Sequence, residues 1–436
     1  MCIKLIAIQA SRWNMTVSTD FRTLLGNLQI KNKGQIGKRY RSITRALNRE
    51  FRDSESKTAN SKQVGSYGRM SGINGISDLD MLYILPDTDW VRFENNQSYL
   101  LQVVRNAIQK VYKNTDIRGD GQVVVVKFKD HVEFEVCPVF RQSDGRYKYP
   151  DSNNGGSWRK CNPDSELVAF KELNETRKGH LRRLSKMIRA WKNRNDVSMS
   201  GFLIDTLCYR FLQTNSDYDE SSFASYDQLS LDFFTYLENE GNPDFYRAFG
   251  SMSKIPVKSS FHKAAQSAHE ICDAAIKATT ESAEKKEWKK LYGRPFPSHS
   301  TVQKASAYSS GEQFIEDTYT DNPLYEIAIE CEVKNESITH KLSQLLGSSS
   351  PLDKGYNLNF RIDYHDIPVP FDLKWKVKNE GDQAIQKNCL RGHILDDDGS
   401  LSRSESTTFE GNHYVECYAI VDNIVVARDR IPVPIS

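Results

Sequence analysis

The sequence predicts an α+β protein in three parts: a mixed α/β core, a helical lobe, and an all-β sandwich at the C-terminal end. Three observations predict it. Apolar residues recur at helical spacing on both sides of a pair of strand signals in the first 163 residues. Residues 164–292 are helical in pattern, and after residue 320 the period changes to two. At 436 residues the chain is too long for one ordinary core. It is 38% hydrophobic and 27% charged, which places it among globular rather than disordered chains. A formal net charge of +2 argues neither for nor against a polyanionic partner.

The elements follow in order. Phe21, Leu24, Leu25 and Leu28 predict one helix over 19–30, and Ile36, Tyr40, Ile43, Leu47 and Phe51 a second over 36–51. "SYGRMSGI" reads as a helical turn and "DLDMLYILP" as a strand closed by Pro86. A third amphipathic helix covers 97–113, and "GQVVVVKFKD" with "HVEFEVCPVF" reads as two strands joined by a tight turn. The Gly-, Pro-, Asn- and Ser-rich stretch 147–166 reads as a loop. "LRRLSKMIRAWKNR", "GFLIDTLCYRFL", "YDQLSLDFFTYLEN" and "KAAQSAHEICDAAIKA" are helices, and 292–312 is a linker. Five later segments alternate as strands. In "FDLKWKVK" the apolar Phe371, Leu373, Trp375 and Val377 alternate with Asp372, Lys374, Lys376 and Lys378, which predicts a strand with one buried face.

This gives a boundary scheme of 1–15 as an extension, 16–163 as the core, 164–300 as the helical lobe, 301–320 as a linker and 321–436 as the sandwich. The eight cysteines are scattered singly, with no zinc-ligand spacing, and Cys137, Cys208 and Cys417 sit in apolar patterns as reduced, buried thiols would. The first 14 residues carry a short apolar patch with one basic flank, Lys4, so they do not read as a secretory signal. Met15 is the expected natural start, and the expected location is the cytoplasm.

The chemistry concentrates in "VGSYGRMSGINGISDLDMLYILP", residues 64–86. Asp78 and Asp80 are two apart on a predicted strand, so both carboxylates leave one face. Side by side they repel unless a cation sits between them. Hard oxygen ligands suit a divalent metal, and two such ions roughly 3.5–4 Å apart can activate a hydroxyl and stabilise a leaving phosphate. Gly65 lets the backbone approach a phosphate closely, and Ser66 adds a hydroxyl donor. A third carboxylate would come from Glu133 or Glu135, which share a face of the next strand. Position alone does not separate them. The bland alternative is that a lone D-x-D caps a strand or turn.

"GSYGR…SDLDMLYILP" followed by "FEVCPVF" resembles the polymerase-β-like nucleotidyltransferases, and more narrowly the group of bacterial cGAS/DncV-like enzymes and oligoadenylate synthases. The resemblance extends through "YPDSNNGGSW…NP", "IRAWK", "GFLIDTL" and "WKKLYGRPFP" to the bacterial SMODS branch. The tail "WKVKNEGDQA…RGHI…TTFEGNHYVECYAIVDNIVVARD" is similar to the adenylyl/guanylyl and SMODS C-terminal sensor domain. The likeness runs from Thr16 to Pro434.

The resemblance implies a metal-dependent, template-independent transfer using two Mg²⁺, with Mn²⁺ able to substitute. Asp78 and Asp80 would ligate both ions. The family pattern puts the third carboxylate three residues before a proline, which selects Glu135 over Glu133. Gly65 and Ser66 would hold the triphosphate, and Arg189 would stand where relatives often carry a phosphate-binding Lys, with Lys192 one turn on. Two departures are a Glu where Asp is frequent and this Arg for Lys; Arg can still grip phosphate bidentately. The competing reading of Arg189 and Lys192 is the solvated face of a helix. Gly155, Gly156 and Trp158 would either border the pocket or form a positive-φ turn and an aromatic anchor; Tyr67 and Arg69 fall near its edge. In the tail, Trp375, His413 and Tyr418 either line a groove or, for Trp375 above all, fill the core.

The implied partners are nucleoside triphosphates, ribo or deoxyribo, an oligonucleotide product, and an effector, often a membrane protein, that acts on the product in anti-phage defence. The resemblance leaves room for a homo-oligomer. Relatives mostly make cyclic di- or trinucleotides, while a branch with this kind of tail, the Hailong defence system, makes short single-stranded DNA, and the tail favours linear oligomers. Two other functions compete: a catalytically weak nucleotide- or oligonucleotide-binding sensor, and a toxin-like transferase acting on a protein or tRNA.

Overall fold

The computed structural model describes residues 17–76, 78–297, 313, 315, 318–321, 325, 327–335, 339–347, 351–422 and 424–436. The predicted extension 1–15 and most of the predicted linker lie outside them. The chain divides into two compact units: one runs to residue 31 and from 39 to 300, and the other takes 32–38 and 301 onward. No described helix is long and apolar enough to cross a membrane.

In the first unit, α1 spans 17–27 and α2 spans Lys33–Arg52, belonging here from Arg39 onward. The sheet is built from β1 (Ser61–Gln63), β2 (Asp78–Ile84), β3 (Asp116–Asp120), β4 (Val123–Lys127) and β5 (Glu133–Arg141) in the order β1-β2-β5-β4-β3. Between β1 and β2 stands the single helical turn α3 (Gly65–Gly68), and between β2 and β3 come α4 (Trp90–Phe93) and α5 (Gln97–Val111). β2 and β5 run parallel, and their chain connection through α5 is the kind of crossover that a parallel pair requires.

Alternation gives β2 two characters. Leu79, Met81 and Tyr83 are buried on one face. On the other, Leu82 packs with Val64, Val139 and Tyr147, and the two positions before it on that face are Asp78 and Asp80. The carboxylates therefore crown an apolar floor.

The stretch 147–166 is not a loop. It contains β6 (Tyr147–Asp151) and β7 (Ser157–Cys161), an antiparallel hairpin that extends β5, followed by α6 (Pro163–Thr176). Only 152–156 is the tip, where Asn154, Gly155 and Gly156 have positive φ. The flanks become strands because β5 offers unpaired backbone groups, an influence no local composition carries.

The helical part of this unit is α6, α7 (His180–Arg194), α8 (Gly201–Thr214), α9 (Tyr226–Asn239), α10 (His262–Ile276) and α11 (Glu281–Tyr292), with a small ribbon of β8 (Phe245–Arg247) and β9 (Lys254–Pro256). On α7, Leu181, Leu184, Met187, Ile188 and Trp191 form the buried stripe that its spacing predicts. It joins a core with α1, α8, α9, α10 and α11 in which Phe21, Trp288, Tyr292 and Phe296 pack edge-on or stacked. Ser200 caps α8 through Leu203 N–H, and Asn162 caps α6 ahead of Pro163 at its first turn.

The second unit is a two-sheet sandwich. One sheet has the order β10-β18-β17-β14-β15, with β10 (Thr320–Asp321), β14 (Asp372–Lys378), β15 (Arg391–Asp396), β17 (Gly411–Val421) and β18 (Ile424–Ile435). The other has the order β12-β11-β13-β16, with β11 (Ile327–Lys334), β12 (Thr339–Lys341), β13 (Asn357–His365) and β16 (Ser402–Ser406). Cys331, Phe360, Trp375, Cys417 and Ala427 meet between the sheets. Trp375 is core, its indole N–H donating to Asp397 Oδ1 at 2.7 Å.

One expectation fails here. Lys376 and Lys378 are buried, not solvated. Their face of β14 looks onto Tyr414, Glu416 and Tyr418 of β17, and Lys376 pairs with Glu416 at 3.9 Å. Ile315 packs on the same sheet with Tyr418 and Ile420, so both faces of the strand are covered. A two-residue period reports alternation; it does not report whether the polar side is wet.

Candidate active site

Parallel pairing sets the carboxylates in register. Asp78 lies opposite Glu133, and Asp80 opposite Glu135. The two glutamates then part company. Glu133 pairs with Lys127 on β4, whereas Glu135 faces a cleft of about 600 Å³ that Asp78 and Asp80 also line. That size suits a nucleotide. A larger depression of about 700 Å³, lined by Arg39, Phe128 and His131 among others, contains none of the predicted site residues.

The Gly-Ser turn is placed by the backbone. Val64 N–H donates to the Asp80 carbonyl at 3.0 Å, which lays α3 across the end of β2. Gly65 has φ of +62°, and a Cβ there would stand 1.7 Å from Asp80 Oδ2. Only glycine fits, by conformation and by space. Gly65 and Ser66 both line the cleft, as do Arg189 and Lys192. The fold thus gathers all seven predicted site residues around one opening.

Their electrostatics differ. Burial pushes the Asp80 carboxyl above the usual range; Arg69 pulls it down and Asp78 pushes it further up. Burial and then the charges of Asp80, Asp78, Asp120 and Glu133 raise Glu135. Asp80 and Glu135 are thus undercompensated by positive charge. Its hard oxygen donors fit a divalent cation in chemistry. As placed, no three His, Cys, Asp or Glu side chains among the described residues close into a ready ligand cluster.

Arg189 lines the cleft, but its guanidinium is engaged. Nη1 and Nη2 donate to Asp205 Oδ1 and Oδ2 at 2.5 and 2.9 Å, and Nη2 also reaches the Gly201 carbonyl at 2.9 Å. Lys192, one turn on, is half-exposed and has no hydrogen-bond or ion-pair partner among the described residues. Arg69 donates through Nε to Asp205 Oδ2 at 2.9 Å and lies over the Phe202 ring at 4.6 Å. Tyr67 is buried, and Trp158 is an anchor: its indole donates to the Glu94 carbonyl at 2.7 Å and it packs on Trp90 and Phe140.

Two residues escaped the sequence reading. Glu166, on the first turn of α6, lines the cleft and is lifted by burial. Asp205 is fully buried on α8. The signal for Asp205 was available: an aspartate inside the apolar run "GFLIDTL" must find a cationic partner or stay unburied.

A Gly-Ser turn beside two strand carboxylates, with a third on the parallel neighbour, is an arrangement that could take a triphosphate and divalent cations. Residues 15–174 match the Second Messenger Oligonucleotide or Dinucleotide Synthetase (SMODS) domain, and 309–436 match the adenylyl/guanylyl and SMODS C-terminal sensor domain. The chain belongs to the SMODS, cGAS/DncV-like nucleotidyltransferases and is an enzyme of that class. It is similar to a probable cyclic nucleotide synthase of Bacillus cereus strain VD146, 22% identical over 276 residues that cover 54% of this chain and 81% of the relative. It is also 22% identical over 285 residues to the cyclic AMP-AMP-AMP synthase of Acinetobacter sp. (strain ATCC 27244 / 9458), covering 60% and 81%. A solved structure of CdnC from E. coli MS115-1 with HORMA-deltaN aligns with a TM-score of 0.49 at 16% identity, covering 63% of this chain and 96% of that one.

Proposed function

We propose that this enzyme joins nucleoside triphosphates, without a template, into an oligonucleotide second messenger that serves anti-phage defence through a separate effector. The observation that carries the reading is the fit of Gly65 against Asp80, with Asp80 in register with Glu135. Such contact serves a phosphate brought against carboxylates and has no evident use in a capped strand. The names of the relatives, both synthases of cyclic nucleotides, support the product class.

In the reaction, a 3′- or 2′-hydroxyl gives up its proton to solvent, its oxygen bonds to the α-phosphorus, the bond from that phosphorus to the oxygen bridging the β-phosphate breaks, and pyrophosphate leaves. Asp78, Asp80 and Glu135 are the residues to hold divalent cations, which when bound would neutralise phosphate charge and acidify the attacking hydroxyl. Gly65 opens room for the triphosphate, Ser66 offers its hydroxyl, and Lys192 supplies the cleft's uncommitted cation. Arg69 and Arg189 also line the cleft, but their guanidinium groups are committed to Asp205. Transfer of this type depends on positioning and charge neutralisation more than on covalent chemistry.

The test is a product assay on the purified chain with each labelled ribo- and deoxyribonucleoside triphosphate, singly and mixed, with Mg²⁺ or Mn²⁺. Gel and mass analysis should find a ladder or a cyclic species that an Asp78→Asn/Asp80→Asn control lacks. A product that persists in the control, or modification of an added protein or tRNA in place of nucleotide joining, overturns the reading.

A further inference from the structure

Asp205 is wholly buried and accepts four hydrogen bonds from three places in the chain: Arg69 Nε and Ser71 Oγ, each at 2.9 Å, and both terminal nitrogens of Arg189. Its carboxyl is held below the usual range because the guanidinium groups of Arg189 and Arg69 outweigh its burial.

All three donor residues lead toward the cleft. Ser71 N–H and Gly72 N–H both donate to the Ser66 carbonyl, at 2.9 and 3.1 Å. The Ser71 hydroxyl has one proton to give. Its contact with Asp205 is the short one, against 3.4 Å to the Ser66 carbonyl. A chain therefore runs from Ser66 through Ser71 to Asp205. The third donor, Arg189, stands one turn before Lys192 on α7, on the same side of that helix. Arg69, the remaining donor, follows α3 directly as its C-terminal cap.

We infer that Asp205 is a positioning residue for the nucleotide: it ties the Gly65–Ser66 turn to the helix that carries Lys192, and so fixes the span across which a triphosphate is gripped. This rests on the reading of the cleft as a nucleotide site. Asp205 lies behind the wall and does not touch substrate; it acts through Ser71, Arg69 and Arg189. A buried carboxylate shared by two guanidinium groups is poor value as stabilisation alone, since well-packed apolar side chains often do as well. Its worth here is geometric.

The experiment uses the full chain and two variants, Ser71→Ala and Asp205→Asn. Each is followed by titration with a non-hydrolysable triphosphate analogue and by steady-state kinetics, well below its own melting temperature. Ser71→Ala leaves both arginine pairs intact and so keeps the test sound if Asp205→Asn folds poorly. It should weaken analogue binding and raise KM about 3- to 10-fold, the worth of one hydrogen bond, while kcat stays within about twofold, as loss of uniform binding requires. Asp205→Asn should weaken binding further, on the order of 30-fold, because the bonds lost are to charged groups. Melting temperatures that fall while affinity and KM stay at wild-type values in both variants would mean a purely structural role and overturn the inference. A wild-type chain that binds no triphosphate overturns it too. A chain that binds the analogue with Ser71-dependent affinity yet makes no product defeats the proposed reaction and leaves this inference standing.

Discussion

Asp80 and Asp205 are two aspartates of the same cleft region with opposite fates. Asp205 is buried and lowered, because two guanidinium groups face it. Asp80 is raised, because burial and Asp78 outweigh the pull of Arg69. The fold could have compensated both and did not. It satisfies the acid that holds the architecture, and leaves in deficit the acids that open on the cleft. Raised carboxylates gathered on one cleft are what the proposed reading, with cations supplied on binding, calls for.

The largest effect that would break this contrast is removal of the deficit itself. Asp78→Asn/Asp80→Asn should abolish product formation, on the order of 10³-fold or more, given the several kcal/mol at stake in metal-borne charge stabilisation. The same variant should melt no lower than the wild type, since a repulsion has gone; a fall in melting temperature would assign the pair to structure.

Gly65→Ala comes next. Its Cβ would collide with the Asp80 carboxylate in a backbone conformation that alanine resists. Displacing the turn or the carboxylate by about 1 Å should cost roughly 10²-fold in kcat/KM, and a near wild-type value would show that the close approach is incidental.

Glu284 sharpens the comparison from outside the cleft. Burial, with Asp20 and Asp227 nearby, pushes it up to about 7 on α11, against the pull of its Trp288 bond and Lys285. The folded state therefore binds this proton more tightly than the unfolded state. Its stabilising contribution is full below the ordinary glutamate range and is lost as pH rises through about 7. Glu284→Gln should flatten the decline of melting temperature between pH 5 and 8, and at pH 8 should melt a few degrees, roughly 2–4 °C, above the wild type. A variant that tracks the wild type at every pH would show that raised carboxylates in this protein need not be strained.

The smallest expected effect is at Glu133, and it separates the two glutamates of β5. Glu133→Gln loses only a partly exposed pair with Lys127 and should change stability by less than about 1 kcal/mol, with product formation close to wild type. Glu135→Gln should remove it. Equal losses in the two would erase the distinction that the register draws.

Much of this was legible in the chain. The helices of the lobe and the long strands of the sandwich follow their periods, because each buries one stripe or one face. Asp78, Asp80, Gly65 and Ser66 stood out locally, since adjacent like charges and a glycine beside them are already a physical anomaly in the sequence. The hairpin at 147–161 was not legible. Its Asn- and Gly-rich tip dominates the composition, and its flanks become strands only because β5 is there to pair with. Lys376 and Lys378 misled for a similar reason: their partners sit on β17, about 40 residues away.

The sequence by itself determined which residue types could do the chemistry and which segments could be helix or strand. It left Glu133 and Glu135 alike on one strand face, and it placed Arg189 and Lys192 only as two cations one helical turn apart. Tertiary structure decided between them. Parallel register brought Glu135 to the cleft, Lys127 took Glu133, and Asp205 claimed Arg189 while Lys192 stayed uncommitted among the described residues. The physical reason is that a period fixes only the direction in which a side chain leaves its own backbone. Which charge it meets depends on residues brought close by folding, and in this cleft those meetings sort the acids and cations by role.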